Sequence, residues 1–177
     1  MNYALLLQHY EMNGRMYARA ERLWFAGRPS LDCAIDAAAR AVDSRGKRYR
    51  HQSRIRRTAI AQAKPVLLKA KQHIEACKTF DDLFDTIVSA LEGIEWLGEL
   101  YYYDTALRLG FYRHITPTKV YLHAGARNGA RALGLDHRVP FVEISSVPKQ
   151  LRHFQPHEIE DFFCIYKGKV IRSICGG

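Results

Sequence analysis

TFDDLFDTIVSALEGIEWLGELYYYDTALRLG, residues 79–110, is the part of the chain whose pattern decides the fold class. Thr79 reads as a helix N-cap, because a threonine hydroxyl can accept from the free backbone N–H groups of a first turn. Asp81 and Asp82 follow at the positive end of the helix dipole. Leu83, Phe84, Ile87 and Val88 then recur at three- and four-residue steps, the stripe by which a helix from Phe80 to Leu91 covers a core. Gly93 and Gly98 bracket a short turn, and helical spacing resumes from Leu100 to Leu109. The unit reads helix, turn, helix.

The same grammar extends outward. Upstream, Leu6, Tyr10, Tyr17, Ala20, Leu23 and Trp24 predict one amphipathic helix from Tyr3 to Phe25, weakened at Gly14 and ended by Gly27-Arg28-Pro29. Ser30 caps a second helix with Leu31, Ile35, Ala38, Ala39 and Val42 on one face, punctuated by Gly46. A third pattern starts near Gln52, and Pro65, lacking an N–H, is expected to kink or divide it before Val66, Leu67, Ala70 and Ile74. Downstream, Thr116-Pro117 predicts a helix carrying Val120, Tyr121 and Ala124, and Gln155-Pro156 opens a last one through Ile159, Phe162, Phe163 and Tyr166, stopped by Gly168. Only Val139–Ile144 and Val170–Ile174 look strand-like. The expectation is an all-α single domain, a compact bundle of about six to eight helices, with two helical lobes, 1–75 and 76–177, meeting near residues 75 to 79 as a variant.

Charge is the second signal. The 177-residue chain carries +9. Eleven basic residues between Arg40 and Lys71 face Asp43 alone, a local +10, whereas residues 73–104 sum to −7. A segment so one-sided sets up a potential of several kT and calls for an acidic partner. Its densest part, GKRYRHQSRIRR from Gly46 to Arg57, interleaves cations with groups that stack or read a base edge. Arg45, Lys47, Arg48, Tyr49, Arg50, His51, Gln52, Arg54, Arg56 and Arg57 are therefore the candidate nucleic-acid-binding residues: guanidinium forks match phosphate oxygens, and Tyr, His and Gln add stacking and hydrogen bonds. Free N–H groups at a helix start after Gly46 would add to the pull on phosphate. The competing reading is that this strip docks on the acidic block around Glu92, Glu95 and Glu99, within one molecule or across a homodimer, as a protein-interaction or adaptor module. A membrane surface ranks below both, because the run lacks an apolar face.

Residues 91–110 carry a local resemblance. Ile94, Trp96, Leu97 and Gly98 at the turn, Asp104-Thr105, and Arg108-Leu109-Gly110 resemble the helix-hairpin-helix element of base-excision DNA glycosylases. The resemblance implies a hairpin whose backbone N–H groups grip a phosphate and an aspartate, Asp104, that stabilises positive charge developing on the sugar as a base leaves. It covers about 20 residues; the hairpin has no lysine, and the chain has no four-cysteine loop. A DNA-glycosylase-like enzyme is thus a third reading.

The remaining features point to structure. Cys33, Cys77, Cys164 and Cys175 form no CxxC, so reduced thiols are expected, the first three as small core groups. Eight dispersed histidines offer no HExxH, and Pro156 separates His153 from His157, so no metal and no cofactor is expected. Tyr101, Tyr102 and Tyr103 lie about 100° apart on a helix, which suggests one core, one boundary and one exposed side chain. Gly125 and Gly129 suggest close helix packing, with Arg127 and Arg131 solvated beside them. Glu158, Glu160 and Asp161 fit a helix first turn. Met1–Glu11 lacks a basic segment followed by a cleavable apolar one, and no run reaches the roughly 18 to 20 apolar residues of a membrane span. The expectation is a soluble cytoplasmic protein.

Overall fold

A computed structural model of the chain describes residues 3–168. Val170–Ile174 and Cys175 lie outside the described residues. The helices in chain order are α1 Tyr3–His9, α2 Arg15–Ala26, α3 Leu31–Ala39, α4 Arg57–Lys69, α5 Lys71–Ala76, α6 Phe80–Leu91, α7 Glu99–Arg113, α8 Ala124–Ala132 and α9 Pro156–Tyr166. The fold class is all-α, as the periodicity predicts. No helix among the described residues is long and apolar enough to cross a membrane.

The chain divides into two compact units, one of residues 1–19 with 117–177, the other of residues 20–116. In the second unit α6 and α7 form the helical hairpin that residues 79–110 announce. Thr79 accepts from Asp82 N–H at 3.1 Å while the Asp82 carboxylate accepts from Thr79 N–H, a reciprocal cap. Leu83, Ile87, Leu91, Tyr101, Leu109, Ile35, Ile60 and Leu67 are buried together with Phe25 in this unit's core. Tyr101 and Tyr103 are both buried and Tyr102 is half-buried, so none of the triplet is exposed. Tyr103 packs edge-on against Phe80 and Phe84, and Tyr101 Oη donates to Ala39 O at 2.5 Å.

In the first unit α8 and α9 pack closely. A Cβ on Gly129 would lie 2.3 Å from Phe163 O, and one on Gly125 2.6 Å from Cys164 Sγ, so close packing is what both glycines provide. Arg127 is not simply solvated: it donates to Val139 O at 3.0 Å. Leu6, Tyr10, Val120, Leu122, Ala126, Val147, Leu151, Phe154, Ile159, Phe162 and Tyr166 form the core.

Several sequence expectations are corrected. Val120–Tyr121 is not helical but a strand, β1, pairing antiparallel with β2, Phe141–Val142, in the register Val120 to Val142. The β-branched and aromatic pair suits a ladder, and the helix begins only at Ala124. Pro65 does not divide α4, which runs through it to Lys69. The single helix of residues 3–25 is interrupted by a π-helical turn, Tyr10–Gly14. A Cβ on Gly14 would stand 2.4 Å from the Tyr10 ring, so the ring occupies the space glycine leaves. The extra residue of a π turn rotates everything after it by one position. Tyr17 and Leu23 are consequently 72% and 67% exposed, and Phe25 is fully buried instead. Cys33, expected in the core, is exposed, Cys77 is buried and Cys164 half-buried, none of the three in a disulfide.

Candidate nucleic-acid interface

The basic segment is a shaped loop, not the start of a helix near Gln52. Ala41 takes a left-handed φ of 52° and ends α3. The chain then closes a tight turn in which Asp43 N–H donates to Lys47 O at 2.8 Å and Val42 bridges Arg48. The Asp43 carboxylate accepts from the backbone N–H groups of Arg45 and Lys47 and from the Arg45 guanidinium at 2.7 Å. The Arg45 hydrogen bond, with the two backbone donors, holds the Asp43 carboxyl below the ordinary aspartate range. Gly46, φ 71°, lets the turn close. A short 3₁₀ turn at Arg50–Gln52 follows, and α4 starts at Arg57.

The ten candidate residues divide into two sets. Tyr49, His51 and Gln52 fold back onto α7 and join a polar knot around Arg108, a fully buried guanidinium. Arg108 Nε donates to Glu21 Oε1 at 2.8 Å, Nη1 donates to Gln52 Oε1 at 3.2 Å, and Nη2 lies 3.5 Å from Asp104 Oδ2. The Tyr49 ring lies 4.1 Å under its carbon. Burial disfavours the charge on Arg108, but the Glu21 and Asp104 carboxylates outweigh it and hold the guanidinium charged more firmly than in water. Burial, then Glu21, pushes the Tyr49 phenol up. Asp104 also accepts from Gln52 Nε2 at 2.5 Å and contacts His51 Nε2 at 2.8 Å. The candidate catalytic aspartate and two candidate binding residues are thereby brought together. Gln52 is fully buried, so it is not a surface group for reading a base edge.

The second set faces outward. Lys47, Arg50, Arg54 and Arg57 are exposed, and among the described residues their side chains make no ion pair or hydrogen bond. Arg56 stacks on Trp96, its guanidinium carbon 3.9 Å from the ring centre. Arg45 is tied to Asp43, and Arg48 donates to Ile55 O at 3.2 Å. Arg40, Lys64 and Lys71, at the rim of the basic stretch, pair with Asp36 and Asp32 of α3, not with the acidic block of residues 73–104. Beside the loop a cleft of about 540 Å³ is lined by Arg40, Val42, Gly46, Arg48, Ser53, Ile55, Arg57 and Ile60, three guanidiniums and no carboxylate.

No protein-family profile, curated protein or solved structure matches this chain.

Two charged arrangements escaped the sequence reading. Glu21 and Arg108 stand 87 positions apart and carry no motif that couples them. In the other unit the α9 carboxylates do more than favour a dipole. Glu160 is buried against His123, Glu158 accepts from Arg15 Nε at 2.8 Å and Tyr10 donates to Asp161 at 3.1 Å. His153 contacts Glu11, and among the described residues no group of His, Cys, Asp or Glu is arranged to hold a metal ion.

Proposed function

We propose that the second unit binds nucleic-acid backbone through Lys47, Arg50, Arg54 and Arg57. The observation that carries this reading is their unspent charge: four exposed cations on the loop and the first residue of α4, unneutralised among the described residues. The rim cations Arg40, Lys64 and Lys71 take their carboxylates from α3, and Asp104 of the acidic block meets His51 and Gln52 and none of the four exposed cations. The arginine-lined cleft beside them suits a phosphate group, which a guanidinium binds through paired N–H donors.

Counterion release sets the test. Four neutralised phosphates give a log–log salt slope of about −3.6 on duplex DNA, hence roughly 100-fold weaker binding between 50 and 200 mM salt. Arg50, Arg54 and Arg57 replaced together by Ala should flatten that slope to about −1, with the thermal midpoint kept, since none of the three supports the fold. An unchanged slope refutes the assignment. Binding between copies of the chain instead would show as a larger species in light scattering at low salt without nucleic acid.

A second reading rests on α6 and α7, which form a hairpin with Asp104 in the second turn of α7. As a glycosylase-like centre it would leave abasic sites in damaged duplexes, and Asp104→Asn should abolish them. Equal product from both proteins removes the aspartate from that role.

A further inference from the structure

Trp96 sits in the turn between α6 and α7 at a φ of 74°, a backbone conformation that a bulky side chain rarely adopts. It is also 53% exposed. Both properties work against stability: glycine would relieve the backbone, and an apolar ring gains by burial. The turn holds it there nonetheless. Ile94 and Leu97 on either side are anchored in the core, Leu97 N–H donates to Ile94 O at 3.2 Å and Tyr102 Oη donates to Leu97 O at 2.9 Å. The Arg56 guanidinium covers the ring at 3.9 Å and fixes its plane. The result is a pre-oriented indole, half open to solvent, on the same unit as the cationic loop.

We infer that Trp96, backed by Arg56, is a stacking platform for one unpaired nucleobase of a single-stranded segment; this rests on the backbone-binding reading above. The surroundings favour a base over an apolar protein surface. The neighbouring Glu92, Gly93, Glu95, Gly98 and Glu99 are exposed and offer no hydrophobic ring around the indole. The Glu92 and Glu95 carboxylates disfavour a phosphate at this spot but accept from the exocyclic amines of bases. A duplex keeps its bases stacked inside and presents none to the indole, so the platform discriminates between strand states.

The chain has two tryptophans, Trp24 and Trp96, so Trp24→Phe isolates the platform's emission. Titrating that variant with a single-stranded 20-nucleotide oligonucleotide of mixed sequence should quench Trp96 saturably, and the duplex of the same sequence should not. Trp96→Gly should lower the ratio of single-strand to duplex affinity about tenfold, in the range expected for one lost base–aromatic stack. Because glycine accepts the left-handed φ, this variant should melt no lower than wild type, which separates lost stacking from lost folding. Emission that does not change at saturation, or an unaltered affinity ratio, overturns the platform while leaving backbone binding in place. Absence of any nucleic-acid binding at 50 mM salt overturns both. Self-association of the wild type that Trp96→Gly abolishes, seen by light scattering, overturns it in favour of a protein contact.

Discussion

Replacing Arg108 by Met isolates the energetic role of the polar knot, because Met keeps much of the side-chain length and removes only the charge and the donors. The guanidinium is 2% exposed and serves Glu21, Gln52 and Asp104 at once. Removing it deprives both the Glu21 and the Asp104 carboxylates of their shared cation. Breaking a buried ion pair from one side costs about 3–5 kcal/mol. The Glu21 side chain is 25% exposed and can rehydrate, while Asp104, 14% exposed, retains its Gln52 donor, so the loss belongs near 3 kcal/mol, the lower end of that range. With a urea slope of about 1–2 kcal/mol/M for a domain of this size, the unfolding midpoint should fall by roughly 1.5–3 M. Both tryptophans lie in the unit of residues 20–116, so their emission follows the transition of this unit. Adding Glu21→Gln and Asp104→Asn to Arg108→Met should recover half or more of the loss, since no uncompensated charge then stays buried. A midpoint for Arg108→Met within about 0.3 M of wild type, under 1 kcal/mol at that slope, refutes the reasoning. So does a triple variant no more stable than the single one.

Three further outcomes are expected. Gly129→Ala must displace the α9 backbone at Phe163 and should cost about 1–3 kcal/mol in thermal denaturation, whereas Gly46→Ala meets no atom within 4 Å and should cost only its left-handed φ, about 1 kcal/mol. Burial raises the Glu158 carboxyl, but the Arg15 and Gln155 hydrogen bonds outweigh it and hold it below the ordinary glutamate value of 4.5. Its contribution is therefore complete above about pH 5 and disappears as pH falls through the depressed value. The thermal midpoint of Glu158→Gln should accordingly lose less on acidification from pH 6 to pH 3.5 than that of wild type. Thr79→Ala should destabilise by about 1 kcal/mol through loss of the reciprocal cap, read as a lower urea midpoint with an unchanged slope.

What was legible in the sequence is what depends on neighbours a few positions apart. Ser30 and Thr79 cap where their identity predicts, because a cap is a contract between one side chain and the next three N–H groups, and Pro156 opens α9 at its first helical position. The phase of α2 was not legible, since the π turn that shifts it depends on the Tyr10 ring settling over Gly14, and helical periodicity assumes no such insertion. Val120 and Tyr121 read as helix because their partners, Phe141 and Val142, stand about twenty residues away. At the candidate interface, composition located the loop but could not sort it. Arg50 and Gln52 look equally available in a string of polar residues, yet one is exposed and the other is buried against Asp104. That sorting depends on Glu21 and Arg108, whose meeting is a long-range event with no local signature.

The division of the first unit between residues 1–19 and 117–177 bears on how the chain leaves the ribosome. Residues 20–116 are contiguous and can close their core as soon as α7 has emerged. α1 is made earlier but cannot complete its own contacts then: the oxygen that meets His9 Nδ1 at 2.6 Å belongs to Tyr166, 157 positions later. During synthesis the Leu6 and Tyr10 face is without its native cover until α9 arrives, and closing that loop is an entropic step the second unit does not share. The order of assembly is therefore inverted with respect to the order of translation, with α1, made before the second unit, buried after it.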